Sequence, residues 1–486
     1  MMKESVKDLA SLALRESERV GADYAEARIQ GGVGYGFMLK NGEPQPSMVE
    51  DSFGIGVRVI CGGALGFGAT NLMDRQSVKG LATKTVRMAI AAKSLVRNPV
   101  RLDRSRAVRQ KVYAQEKESI EGADASWLKA LLLEIDGAIE GGERKGGGGD
   151  GSVKIPNRIL VASSEMEEKY YVNTDGAEVE FRTPRIHFFA IMTAIANGDA
   201  AQRTVQQAET GGLEVVKRLD LVAKLEAESR ILRQVLTKAT KSPTGVMDVL
   251  LAPELSGIAA HESVGHPQEA DRILGREGAQ AGESYLKKDS LGYKIGSREA
   301  NVSDDPTLAH SNGYAPVDDE GVRATKRYLI VDGRITEFLH NRSTAAQLKA
   351  RDNGAARAVG FNREPIIRMS NTFVEPGDYT REEIIKEVKD GIYFKSFTEW
   401  NIDDKRLNQR YVGLEAYRIK NGVVGELVKA PVLEITTPAL WGSVRARSKK
   451  VEFEAAVCGK GDPMQGIPVW TGGPDTLLGG VRIGTR

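Results

Sequence analysis

The residues best able to do chemistry are His261 and His266 with Glu262 between them, in the run His-Glu-Ser-Val-Gly-His. The chain has 5 histidines and 66 acidic residues in 486 positions. Composition alone yields about 0.007 matches to this His-acid-x-x-x-His pattern, so coincidence explains it poorly. Two neutral imidazoles can hold a zinc ion through ring nitrogens, leaving the glutamate free to meet a bound water. Such a metal lowers the water's pKa towards about 7 and polarises a carbonyl, while the carboxylate takes the water's proton. The chemistry expected is metal-assisted amide hydrolysis, with Glu262 serving as base and then as acid towards the leaving amine.

The spacing constrains the backbone. Histidines four apart share a helix face, but these are five apart, and a regular α-helix would turn the second ring about 140° from the first. The helix must therefore be rewound locally. One extra residue in a turn is a π-bulge, and Gly265, directly before His266, is expected to loosen the backbone there.

A catalytic zinc usually has three protein ligands and one open position. Cys458 is the leading third ligand: it follows the β-like run 451–457, and Gly459 and Gly461 let the chain bend around an ion. A thiolate with two imidazoles favours zinc over other metals that imidazole also suits. Glu269, Asp271, Glu283 and the other histidines remain rivals on composition alone.

The elements that must position these groups are legible in part. Val6, Leu9, Leu12, Ala13 and Val20 recur at helical spacing up to Gly21, and residues 24–30 alternate as a strand. Residues 54–60 and 64–70 flank Cys61-Gly62-Gly63 as a hairpin, and 78–93 and 125–139 read as helices. Residues 141–152 are too rich in glycine for a regular element and are expected as a flexible loop. A β pattern spans 159–195 with a turn at Asp175-Gly176, and one long amphipathic helix is expected over 219–239. The domain boundary falls near residue 242. Beyond it come a buried strand over 246–251, a short apolar helix leading into the histidines, and hairpins at Asp332-Gly333 and Asn421-Gly422. One helix opens with a capping box, Thr380 with Glu383. The expected fold class is α+β: a mixed α/β domain over 1–242, then a mainly antiparallel β domain over 243–486 carrying the metal site.

The balance of 68 basic against 66 acidic residues, net +2, argues against nucleic-acid and membrane-surface partners. No stretch approaches the roughly 18–20 apolar residues of a bilayer-spanning helix. The first twenty residues lack the uncharged core of a signal peptide. Two cysteines in so long a chain exclude a disulfide framework, and a reducing cytoplasm is the expected compartment.

The segments HESVGHPQEAD, NGYAPVDDEGV, GRITEFLHNR and CGKGDP, with the Gly-rich tail after them, resemble the TldD/PmbA family over most of the chain. In its catalytic TldD-type members the two motif histidines and a C-terminal cysteine bind Zn²⁺ while the motif glutamate acts as base. The resemblance thus implies these roles for His261, His266, Cys458 and Glu262. It also implies cleavage of unfolded or short peptides, in maturation or degradation, by a homodimer or a heterodimer with a related subunit that lacks the metal motif. An antiparallel domain could offer an extended peptide a strand edge.

Other residues carry weaker signals. Cys61 reads as core. His310 and His340 read as structural histidines, and Asp318, Asp319 and Glu320 either as a solvated turn or as hydrogen-bond partners of the zinc histidines. Gly472-Gly473-Pro474 reads as a loop that could line the cleft. The tetraglycine Gly146–Gly149 lacks the ending of a phosphate loop. Two rival functions remain: a dipeptidyl-peptidase-like HExxGH zinc exopeptidase with a glutamate as third ligand, and a non-catalytic peptide-binding subunit with structural zinc.

Overall fold

The computed structural model describes residues 2–103, 107–145, 153–278 and 282–486, with only the backbone described for 142–145. The fold is α+β. Its first helix, Glu4–Val20, stops at Gly21, where a φ of 114° turns the amide back onto the Ser17 and Glu18 carbonyls. The strand Tyr24–Lys40 then runs antiparallel between Met48–Cys61 and Lys154–Asn173 in an eight-stranded sheet. Gly62 and Gly63, both at positive φ, close the expected hairpin and pair Cys61 with Ala64. The strand Asp199–Thr210 pairs with Glu178–Ala196 alone among the described residues.

One helix departs from expectation. The helix Ala125–Lys145 continues past Ile139 into the glycine-rich segment. Its stripe of Leu128, Leu131, Leu132, Ile135 and Ile139 is buried, and an anchored helix propagates one residue at a time at little cost. The rest of that segment, with the tetraglycine, lies outside the described residues. The long helix expected over 219–239 runs Leu221–Lys238, and a short helix the sequence does not announce, Glu214–Leu219, precedes it, the two divided where Asp220 adopts a left-handed φ of 44°.

The second half holds a ten-stranded and a six-stranded sheet. Asp332-Gly333 and Asn421-Gly422 form the expected two-residue turns, all four residues at positive φ. The sheets are mixed within a mainly antiparallel pattern. Gly245–Leu251 lies antiparallel to Thr476–Thr485 but parallel to Asp390–Phe394, and Asn371–Val374 is parallel to Gln465–Gly473. The strand expected over 246–251 is buried only in its later part, since Val246 at its start is 68% exposed. The capping box at Thr380 and Glu383 opens the helix Arg381–Glu387. Two further helices, Arg342–Leu348 and Thr437–Gly442, were not expected, because one or two turns are too short to display a 3.6-residue period.

The largest apolar cluster packs Val249, Leu251, Leu255, Ala259, Val264, Met369 and Trp441 together with Cys458. The segment bearing the histidines therefore sits on a fixed core and not on a free loop.

Candidate metal centre

Helix Pro253–Ala260 opens with proline in its first turn, where the missing N–H costs nothing. It lies close upon the strand Gln465–Gly473: a Cβ on Gly257 would come within 2.5 Å of the Gly472 amide nitrogen. Gly472 and Gly473 thus end a strand beneath this helix instead of forming a loop. The helix rewinds at His261–Gly265 into a π turn, the adjustment expected from the five-residue spacing, and passes into a 3₁₀ turn at His266–Gln268. The two imidazoles consequently face each other, ring centroids 4.9 Å apart and nearly perpendicular at 83°. Ser263 sits inside the turn, donating to the Ala259 carbonyl at 2.6 Å and accepting from Trp441 Nε1 at 3.0 Å. Gly265 has an ordinary helical φ of −58°, so backbone freedom is not its role. A Cβ there would stand 1.9 Å from Met369 Sδ, and the glycine is needed for that close approach.

Cys458 arrives from the strand Glu452–Lys460, the outermost of the six-stranded sheet. Its Sγ stands 3.3 Å from His261 Nε2 and 3.4 Å from His266 Nε2. Ligands at Zn–S and Zn–N bond lengths around a tetrahedral ion would be about 3.6 Å apart, so the donor set fits zinc. These three offer ligand atoms within 4.8 Å of one another, the one such His/Cys/Asp/Glu group among the described residues.

Electrostatics suit the same ion. Burial holds both imidazoles below the usual histidine range, hence neutral and able to coordinate. Burial also pushes the Cys458 thiol up, but His266 and Arg368 outweigh it and leave the thiol lowered to about 7. Arg368 donates to the Cys458 carbonyl and, at 2.7 Å, to that of Gln465, bracing the strand behind the sulfur. His266 Nδ1 meets Glu269 Oε2 at 3.0 Å, which directs Nε2 towards the sulfur. Burial would raise the Glu269 carboxyl, yet Lys460 at 3.3 Å and Arg272 at 2.6 Å hold it well below the carboxylate range. His261 Nδ1 is buried with no hydrogen-bond partner among the described residues.

Glu262 turns its carboxylate to Arg406, whose Nη1 donates to Oε2 at 2.6 Å. Both line a cavity of about 650 Å³ with His261, His266 and Cys458. Arg406 carried no signal in the sequence, since its position depends on a left-handed backbone that an arginine does not advertise.

The rival ligands lie elsewhere. Glu269 is spent on His266, Asp271 pairs with Lys460 at 2.8 Å, and Glu283 is an exposed residue 3.8 Å from Lys405. His340 meets Thr344 Oγ1 at 3.2 Å, and burial pushes it down to about 4. His310 adopts a φ of 63° and its carbonyl accepts from the Thr210 amide. Cys61 packs into an apolar cluster of the first half. Asp318, Asp319 and Glu320 are neither a solvated turn nor partners of the histidines. All three are buried: Asp318 accepts backbone amides, Asp319 accepts from Ala358 N and pairs with Lys169, and Glu320 binds Arg58 at 2.6 Å.

The chain is similar to known proteins along most of its length. Models for domain 1, the central domain and the C-terminal domain of PmbA/TldA metallopeptidases match residues 25–92, 118–242 and 244–485. A metalloprotease of Methanocaldococcus jannaschii is 30% identical, over 93% of this chain and 95% of its own length. The chain belongs to the PmbA/TldD metallopeptidase family. Within that family, a zinc metalloprotease TldD homolog of Saccharolobus solfataricus is 29% identical over 53% of this chain and 55% of its own. TldE of Thermococcus kodakarensis shares the fold, with a TM-score of 0.72 at 16% identity and 99% of both chains covered. So does a putative modulator of DNA gyrase from Bacteroides thetaiotaomicron, with a TM-score of 0.75 at 16% identity and both chains covered in full. Among the described residues no helix is long and apolar enough to cross a membrane.

Proposed function

We propose that this PmbA/TldD-family chain is a zinc-dependent peptidase that hydrolyses peptide bonds in unfolded or short peptides. His261, His266 and Cys458 would hold the ion and Glu262 would be the general base. The observation that carries the reading is the convergence of three ligand atoms, drawn from opposite ends of the second half, on the cavity that Glu262 lines.

Bound zinc would supply Lewis acidity and a water of lowered pKa. The chain's own residues do the rest. Glu262 takes the proton of the attacking water and later returns it to the leaving amine. Glu269 keeps His266 in one orientation, and Arg368 fixes the backbone that carries the thiolate. An extended peptide would lie along the outer edge of the strand Glu452–Lys460, where Val457 is 60% exposed and borders the cavity. Pairing through main-chain hydrogen bonds would tolerate many sequences. We further propose two domains divided near residue 242, a cytoplasmic location, and assembly as a homodimer or with a related family subunit.

Metal analysis combined with hydrolysis of an unstructured peptide tests this reading. Glu262→Ala should retain zinc and lose cleavage by at least about 100-fold. Equal turnover by both proteins would exclude Glu262 as the base. A zinc-loaded wild type that cleaves no peptide would favour a binding subunit with structural metal.

A further inference from the structure

Arg406 belongs to the loop between the strands Phe397–Ile402 and Asn408–Gly413. Its φ of 65° is left-handed, a conformation an arginine keeps only where its surroundings impose it. Here they do. Its amide donates to the Asp403 carbonyl at 2.9 Å and its carbonyl accepts from Thr437 Oγ1 at 2.8 Å. The Asp403 carboxylate also fixes the next two residues through the Leu407 and Asn408 amides. The constrained loop sends the guanidinium into the cavity lined by His261, Glu262, His266 and Cys458.

Among the described residues its guanidinium makes one hydrogen bond there, from Nη1 to Glu262 Oε2, although a guanidinium has five N–H donors. Nε is buried with no partner among the described residues. Arg203, the second arginine on this cavity, differs. It is committed by four bonds of 2.7 to 2.9 Å to Glu228 and Glu254. Among the described residues Arg406 is therefore the cationic side chain of this cavity with donors in reserve, and it already touches the carboxylate that would change charge during hydrolysis.

We infer that Arg406 is a catalytic residue that stabilises the oxyanion of the tetrahedral intermediate, its charge following the negative charge from Glu262 to the substrate's carbonyl oxygen. The inference rests on the peptidase reading with Glu262 as base. When Glu262 takes a proton from water, that O–H bond breaks, a C–O bond forms at the carbonyl carbon, and the carbonyl π pair moves onto oxygen. The carboxylate facing Arg406 becomes neutral as an equal negative charge appears on the substrate. Donors held beside the site before reaction need no reorganisation to meet it. On collapse the C–N bond breaks, Glu262 gives its proton to the amine, and the carboxylate regains its charge and its hold on Arg406.

The test uses the zinc-loaded protein with Arg406→Lys and Arg406→Met. Zinc content, kcat and KM on an unstructured peptide, and calorimetric affinity for a phosphinic peptide, a tetrahedral anion, are measured together. Both variants should keep one zinc and a KM within about threefold of wild type, while kcat falls about 100-fold or more in Arg406→Met. Phosphinic-peptide affinity should fall in parallel, with Arg406→Lys intermediate in both. A normal kcat in Arg406→Met overturns the inference. So does a lowered kcat with unchanged phosphinic-peptide affinity, which would leave Arg406 positioning Glu262 only, and so does loss of zinc from both variants. If the zinc-loaded wild type itself cleaves no peptide, the peptidase reading falls and this inference with it. A cleaving wild type matched by Arg406→Met sinks this inference alone.

Discussion

The chain's two thiols are pushed in opposite directions by their surroundings. Burial raises the Cys61 thiol, whereas Cys458, despite a stronger burial penalty, is lowered to about 7 by His266 and Arg368. A lowered pKa means thiolate above that pH, so in metal-free protein alkylation of Cys458 should rise with a midpoint near 7 while Cys61 stays unmodified. Peptide mass spectrometry after timed iodoacetamide treatment across pH 5–9 reads this directly, and Cys61 reacting first would contradict it. The residue scale was also where the sequence spoke most clearly. His261, Glu262 and His266 stood out by rarity and spacing alone. Cys458 does not stand out, because a lone cysteine reads first as a buried hydrophobe, and only the partnering histidine motif and the family resemblance raise it to a ligand candidate. Arg406 was invisible, since what aims it is a turn held by Asp403 and by Thr437 far along the chain.

Among the elements, those governed by local chemistry were legible and those governed by packing were not. The Gly62-Gly63, Asp332-Gly333 and Asn421-Gly422 turns follow from residues that accept positive φ, and the π turn follows from ring geometry. The role of Gly265 depends on Met369, a neighbour distant in sequence. Gly265 makes that dependence measurable. Alanine there forces Met369 aside or shifts the turn, and overpacking of this kind costs about 1–3 kcal/mol. Gly265→Ala should therefore lower the denaturant midpoint and weaken zinc binding, because the displaced turn carries His266. Unchanged stability and metal affinity would show that the contact with Met369 is not what the glycine serves.

Across the whole molecule, the elements bearing His261, His266 and Cys458 are tied to the first half by charged side chains. Arg203, on the strand Asp199–Thr210, grips Glu254 at the start of the helix that leads into the histidines. Lys224 grips Glu454 on the strand that carries Cys458. Arg58 reaches Glu320 across a separation of 262 residues. Pairings so remote have no signature in a single sequence, which is why the burial of the acidic run Asp318–Glu320 is not legible in it. The proposed metal site also belongs to this scale: the fold brings a cysteine to within 3.4 Å of a histidine 192 residues earlier, and the two with His261 would hold one ion. Zinc stoichiometry and affinity of wild type and of Cys458→Ala, by native mass spectrometry with competition against a chelator, test it most directly. Wild type should bind one zinc per chain, and Cys458→Ala should stay folded and lose at least about 100-fold in affinity, as removal of a ligand exceeds the effect of removing its supporting partners. Full retention of tightly bound zinc by Cys458→Ala would contradict the claim and return a glutamate to the place of third ligand.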